Sequence, residues 1–288
     1  MALPALMLTF LIDRIGILID MDAYPANRYW ERGFWMHLVA GMTFTNEWSF
    51  IDQRIGTNFP LWSLSYEVAY YVAFMLLLFF RGVGMVIALA LVILVAGVKV
   101  WLLLPAWLIG VWLHHLLRLD RRSRGTSLLL MVLPMALYFL FLALGIRDLL
   151  GALSDLLVLR FIGHSVGFSN EFIWDITVAC LFALHLLGAA GLLKTVGTAS
   201  GPLSGCIRWL AGGTFSLYVV HFPVLMFTNA AMGMHLSGLS RIGVLLTLTV
   251  VACYVFAWCF ERRLTRFRAG IRTFGALAGS WYRARHND

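Results

Sequence analysis

Charged side chains are scarce in this sequence. Asp, Glu, Lys and Arg make up 12% of its 288 residues, about half the roughly 25% of ordinary soluble domains. Hydrophobic residues make up 61%, and the mean hydropathy is +0.86, which excludes a water-soluble globular class. Negative charge is scarcer than positive, 14 residues against 22. The resulting net charge of +8 does not point to nucleic acid, because the arginines gather in short loops and near the C-terminus, where the positive-inside rule puts them. Cysteine is equally sparse. Cys180, Cys206, Cys253 and Cys259 form no C-x-x-C pair and have no histidine at ligand spacing, so no metal site is expected, and they read as small apolar residues in or near spans. There is no G-x-x-x-x-G-K, G-x-G-x-x-G, G-x-S-x-G or H-E-x-x-H, hence no phosphate cradle, dinucleotide fingerprint, nucleophile elbow or zinc-protease helix. Internal repeats and low-complexity segments are absent, and the first ten residues lack the basic n-region of a signal peptide.

What is present is long apolar runs. A membrane span needs about 20 mostly apolar residues. On that scale the expected fold is all-α, a polytopic membrane bundle of about eight transmembrane helices. The spans are Ala2–Ile19, Leu61–Phe80, Gly84–Val98, Trp101–Leu117, Ser127–Leu144, Phe172–Gly191, Trp209–Met232 and Ile242–Phe260. Phe34–Phe44 is too short to cross and is expected to lie in the interface or re-enter. Gly197–Gly205 reads as a small-residue linker. Residues 1–261 form one transmembrane domain and 262–288 a basic tail. Eight spans put both ends on one side. Fourteen Lys and Arg fall on that side, including the Arg118–Arg124 run and the tail, against seven on the other, so both termini are expected in the cytoplasm.

One stretch carries unusual chemistry. Asn58–Phe74 reads NFPLWSLSYEVAYYVAF, with Glu67, Ser63, Ser65, Tyr66, Tyr70 and Tyr71 at the head of an apolar run. A carboxylate entering a hydrocarbon-length segment is costly and marks a candidate functional residue. At helical spacing Ser63, Glu67 and Tyr70 or Tyr71 share a face. Glu67 has three open roles: orienting or deprotonating a hydroxyl, pairing with a buried cation, or resting among headgroups. Trp62 is either an aromatic-belt residue or a stacking platform for a sugar or acyl chain. In the seventh span Thr214, His221 and Thr228 repeat at seven residues, with Tyr218 beside them. The stripe lines a cavity or serves as interhelical hydrogen bonding. Asp13 and Arg14 interrupt the first span, and Asp175 and His185 fall in the sixth. His114 and His115 close the fourth span and read as solvated.

Three segments carry a family resemblance. Pro60, Trp62, Ser63, Leu64, Ser65 and Glu67 match the P-x-W-S-L-S-x-E signature of the membrane acyltransferase type 3 family, although Val68 stands where many members have a second Glu. GTFSLYVVHFPVL, Gly213–Leu225, resembles the family's late S-x-Y-x-x-H-x-P segment. FERRLTRF, from Phe260, resembles its last core span. The resemblance implies an O-acyltransferase of the bacterial inner membrane. Such an enzyme moves an acyl group, such as acetyl from acetyl-CoA, onto a hydroxyl of a cell-surface or lipid-linked saccharide, with no tightly bound cofactor. It implies catalytic roles for Glu67 and His221 and substrate contacts from Trp62, Ser63, Ser65, Tyr70, Thr214 and Tyr218. Members usually begin with two further spans, the first ending in a histidine regarded as catalytic. Here ALPALML resembles the family just after that part, so those spans are expected to have no counterpart. The competing expectation is a truncated, non-catalytic scaffold or transporter-like relative.

Overall fold

The computed structural model describes residues 1–24, 33–49, 55–119, 122–196, 201–232 and 238–263. Trp30, Arg28, Arg32 and Arg54 of the first long connection, Arg121, residues 197–200 of the linker and the tail from Leu264 onward lie outside the described residues. The described residues form helices and no strand. In chain order the helices are α1 (Ala2–Ile19), α2 (Phe34–Thr43), α3 (Leu61–Phe79), α4 (Gly82–Ala96), α5 (Val98–Leu102) and α6 (Leu104–Leu119). They continue with α7 (Arg124–Ala143), α8 (Ile146–Phe161), α9 (Phe172–Val196), α10 (Pro202–Ala211), α11 (Thr214–Met232) and α12 (Gly238–Phe256). A 3₁₀ turn, Gly167–Ser169, precedes α9, and a π-helical turn carries α12 on to Glu261.

Among the described residues six helices are long and apolar enough to cross a membrane: α1, α3, α7, α9, α11 and α12. The expected third and fourth spans are shorter helices, α4 with 15 residues and α6 with 16. At about 1.5 Å per residue each covers roughly 22–24 Å, less than the roughly 30 Å hydrocarbon core. The outer surface is as apolar as the interior, and polar side chains are drawn inward. Thr9, Asp13, Ser65, Ser127, Ser154, Ser169 and Ser216 are each at most 1% exposed, while Val83, Leu94, Leu129, Phe139 and Leu246 face outward. An outer surface of Leu, Val and Phe, over an interior in which such hydroxyls and carboxylates sit among apolar side chains, is what lipid as solvent favours. The protein is an integral membrane helical bundle.

Two details correct the sequence expectation. The seventh span does not begin at Trp209, because the helix breaks at Gly212–Gly213 and α11 starts at Thr214. The linker ends at Gly201, because Pro202, whose fixed φ and missing N–H suit a first helical position, opens α10. A further helix, α8, occupies Ile146–Phe161, between the fifth and sixth expected spans.

The chain forms two compact units. The first comprises Met1–Thr43, Gln53–Leu61 and Pro202–Asp288, and here α1 and α12 both pack on α11. The second comprises Phe44–Asp52 and Trp62–Gly201, with α6, α7 and α8 packed on α9. The α7–α9 contact is close for an identifiable reason. Pro134 inside α7 cannot donate to the turn before it. His185 of α9 approaches the same region, with Nδ1 2.7 Å from the Met131 carbonyl. Gly188 lets the two backbones meet there.

Candidate functional site

In the first unit the segment leading into the signature is held by α1. Thr9 and Asp13 lie one turn apart on its buried face. Asp13 accepts the Thr57 N–H at 2.9 Å and the Thr57 hydroxyl at 2.6 Å, and Thr9 accepts from the Asn58 amide at 2.9 Å. The two charge-assisted bonds to the Asp13 carboxylate and the neutral one to Thr9 fix a loop. Tyr24 is buried nearby, and burial first, then the Asp13 charge, push its phenol above its ordinary pKa. The next two residues are held by α11. The Phe59 ring meets Phe222 edge-on at 5.1 Å, and the Pro60 carbonyl accepts the Tyr218 hydroxyl. At the head of α11, Ser216 donates its N–H to Glu261 at 2.9 Å, placing a carboxylate at a helix N-terminus, where the dipole favours it. Arg262 lies 4.1 Å over the Trp209 ring and donates to the Trp209 carbonyl at 2.8 Å. Thus all three segments that carry the resemblance contribute contacts within this unit: Pro60 meets Tyr218, and Ser216 meets Glu261.

His221 is half-buried on α11. Its Nδ1 lies 3.0 Å and 2.9 Å from the carbonyls of Leu217 and Tyr218. A carbonyl only accepts, so Nδ1 carries a proton, and in the tautomer this selects the ring's lone pair lies on Nε2. The Thr214–His221–Thr228 stripe is uneven. Thr214 is exposed and donates to Ala211, whereas Thr228 is buried and donates to Val224.

The second unit holds the signature helix from Trp62 onward. Ser65 is fully buried. Its hydroxyl accepts the Glu47 N–H at 3.2 Å and its carbonyl accepts the Trp48 indole N–H at 3.3 Å. Glu47 pairs with Lys99 at 3.1 Å, with side chains only 7% and 13% exposed. Ser169 donates to the Lys99 carbonyl at 2.6 Å, so its single proton is used and Tyr66 must donate to it across 3.1 Å. The Tyr70 hydroxyl donates to Val100. Trp62 stacks on Phe168, with centroids 4.7 Å apart and planes 10° apart. Gly97 makes room for this assembly. Its φ is +85°, and a Cβ would fall 1.4 Å from the Ser49 hydroxyl.

Glu67 points elsewhere. It is half-buried and accepts from Tyr71 at 2.8 Å, its one hydrogen-bond partner among the described residues. The polar face of the signature helix therefore runs through Glu67 and Tyr71, while Tyr66 and Tyr70 turn into the core. Ser63 is half-buried. Glu67 and His221 belong to different units. His185 binds Met131 in the second unit, and Asp175 lies near Glu171, which pairs with Arg147 at 3.2 Å.

The buried Lys99–Glu47 pair is not among the residues that the sequence singles out. The available signal was a lysine in the apolar run Gly97–Leu104, which calls for a carboxylate from a connection at the same membrane level. Among the described residues no group of three or more His, Cys, Asp or Glu is arranged to hold a metal. Comparison with family models, with curated proteins and with solved structures returned no match.

Proposed function

We propose that the chain is a membrane O-acyltransferase of the acyltransferase type 3 kind. It transfers an acyl group, acetyl for example, from acyl-CoA to a hydroxyl of a cell-surface or lipid-linked saccharide. The observation that carries this reading is the contact between the resembling segments, Tyr218 on Pro60 and Glu261 on Ser216, because segments far apart in the chain that share one family pattern touch there, Pro60 being the first residue of the signature. In the reaction the acceptor hydroxyl loses its proton to a base, its oxygen attacks the thioester carbonyl, and the CoA thiolate leaves and takes up a proton. Two groups suit the base. Glu67 is an accessible carboxylate with one donor on it, and His221 keeps Nε2 as its basic nitrogen. Trp62, stacked on Phe168, supplies an aromatic wall at the head of the signature helix.

The test is acyl transfer from labelled acetyl-CoA to saccharide acceptors. Membranes carrying the chain are used, alone and extended by the reading frame upstream of Met1. Glu67→Gln keeps the size and removes the proton acceptor, so the rate should fall about 10²–10⁴-fold. Undiminished transfer at normal expression would falsify the catalytic role. A second reading, a non-catalytic scaffold or transporter-like relative, is favoured by the hydroxyls of Ser65, Tyr66, Tyr70 and Tyr218, which are all engaged in internal hydrogen bonds. Absence of transfer from any acyl-CoA in the extended chain would favour it.

Eight crossings, with both ends in the cytoplasm of a bacterial inner membrane, remain the topology proposed. Contacts inside the second unit support counting α4 and α6. Glu47 precedes the signature helix and Ser169 precedes α9, and both touch Lys99, which follows α4. That contact brings the end of α4 to the level where α3 and α9 begin. From there α6 runs beside α9, and Leu117 near its end meets Lys194 near the end of α9. An α4 that goes out and an α6 that comes back are two crossings, short by residue count and accommodated by local thinning or flanking polar groups.

A further inference from the structure

Among the described residues nothing buries any side chain of α10. The helix is nevertheless two-sided. At about 100° per residue, Leu203, Cys206, Ile207 and Leu210 share an arc of about 100°, and Gly205 and Arg208 lie roughly 150° from its centre. Leu203 is 73% exposed and Ile207 57%. The C-terminal end of α10 is held by the end of α12. The Trp209 ring stacks on Tyr254 with centroids 5.2 Å apart. The Trp209 carbonyl accepts from Arg262 at 2.8 Å, and the Leu210 carbonyl accepts the Tyr254 hydroxyl at 2.9 Å. The helix is thus pinned along the Trp209 side, with its apolar arc turned elsewhere.

The neighbours of α10 give its level in the membrane. The 19 residues of α11, at about 1.5 Å each, cover roughly 28 Å and nearly match the roughly 30 Å hydrocarbon core. The break at Gly212–Gly213 therefore leaves α10 beyond the crossing. Two Trp–Arg pairs stand at the same end, Arg262 at 4.1 Å over Trp209 and Arg263 at 4.9 Å over Trp258. Aromatic rings beside cations are characteristic of the headgroup zone. We propose that α10 lies in the bilayer interface, with Leu203, Ile207 and Leu210 among acyl chains and Arg208 toward water. The occupant of the apolar face is lipid because Tyr254, which holds α10, neighbours Val255 and Trp258 on α12, whose exposed side chains already face the bilayer. An interfacial helix of this kind sinks its apolar face about 5–10 Å into the boundary between headgroups and acyl chains. The inference needs only a membrane-embedded chain and stands apart from the acyl-transfer reading.

The experiment is spin labelling of the full chain in vesicles of equal amounts of phosphatidylethanolamine and phosphatidylglycerol. The background carries Cys180→Ala, Cys206→Ala and Cys259→Ala and keeps Cys253, which is fully buried. Single labels are attached through Leu203→Cys and Ile207→Cys on the apolar arc. Gly205→Cys and Arg208→Cys carry the label on the opposite side, and nothing lies within 4 Å of a Cβ at Gly205. Two positions per side keep the comparison intact if one variant fails to fold. Collision of each label with oxygen, which enters lipid, is compared with collision with a water-soluble nickel chelate. The logarithm of the oxygen-to-nickel ratio should be positive at 203 and 207 and negative at 205 and 208. A negative value at 203 and 207 would place the face in water and overturn the proposal. Poor collision with both reagents at those two positions would mean that protein covers the face, and would overturn it equally. The same sign at all four positions would also overturn it.

Discussion

Gly188 offers a sharp test of how the second unit is packed. A Cβ built on it lies 2.3 Å from the Met131 nitrogen and 2.6 Å from both the Leu130 carbonyl carbon and the Ser127 oxygen. Ordinary contact begins at 3.4 Å, so Gly188→Ala must part α7 and α9 by roughly 1 Å. All three obstructing atoms are main chain in a helix, and no rotamer change relieves them. Overpacking of this kind costs about 1–3 kcal/mol. Parting the helices also stretches the 2.7 Å contact of His185 on Met131, worth about 0.6 kcal/mol in a membrane bundle. Alanine returns up to about 1 kcal/mol of helix propensity. The expected net loss is about 1–2 kcal/mol, read as a lower midpoint in denaturant or thermal unfolding of the detergent-solubilised protein. Gly243→Ala in α12 and Gly84→Ala in α4 are matched controls, since nothing lies within 4 Å of either Cβ position. Both should be neutral or stabilising by up to about 1 kcal/mol. If Gly188→Ala unfolds at the same midpoint as Gly243→Ala, the close crossing of α7 and α9 is wrong.

Lys99→Met removes the ammonium from a buried carboxylate and should cost about 3–5 kcal/mol, whereas Lys99→Met with Glu47→Gln should cost much less. Equal midpoints for the single and double variants would show that the pair is not coupled. Asp13→Asn halves the acceptors offered to Thr57 and should lower stability by about 1–3 kcal/mol in the same unfolding assay; an unchanged midpoint rejects the role given to that carboxylate. Reporter fusions after Asp288 and within 233–240 should lie on opposite sides of the membrane, and a tag inserted between Phe80 and Gly82 should share the side of Asp288. Any other pattern removes the eight-crossing topology. His221→Cys should react with a small water-soluble thiol reagent in membranes if the α11 stripe lines a cavity, and complete protection in a folded protein would assign the stripe to packing.

Much of the architecture was legible because the bilayer imposes a length rule. Runs of Leu, Val, Ala and Phe of about 20 residues correspond to α1, α3, α7, α9, α11 and α12 within a few residues. Boundaries failed where hydropathy does not change. Trp209, Leu210 and Ala211 are as apolar as the span that follows, so only the Gly212–Gly213 pair marked the break between α10 and α11. The helix α8 was hidden by composition, because Arg147, Asp148, Asp155 and Arg160 dilute an amphipathic pattern that a span-length window averages away.

The polar sites show a different limit. Helical spacing placed Glu67 beside the right tyrosine only to within a choice of Tyr70 or Tyr71. Packing decided it, since Tyr70 turns toward Val100 and Tyr71 remains to donate to Glu67. Ser65 and Glu67 stand two residues apart in one signature, yet one is sealed against Glu47 and Trp48 while the other stays half-exposed. Residue type alone treats them alike. What separates them is a partner segment, residues 44–49, brought to the head of the signature helix by the Glu47–Lys99 pair, whose members lie 52 positions apart in the chain. A pair that distant leaves no local periodicity. It becomes inferable only once α4 is taken to cross, because a crossing then requires the Lys99 charge to find its counter-ion among the connections on that side. The same reasoning directs mutagenesis. Replacing Ser65 tests how the second unit is held together, and replacing Glu67, whose carboxylate leans on Tyr71 alone among the described residues, tests chemistry with little structural cost.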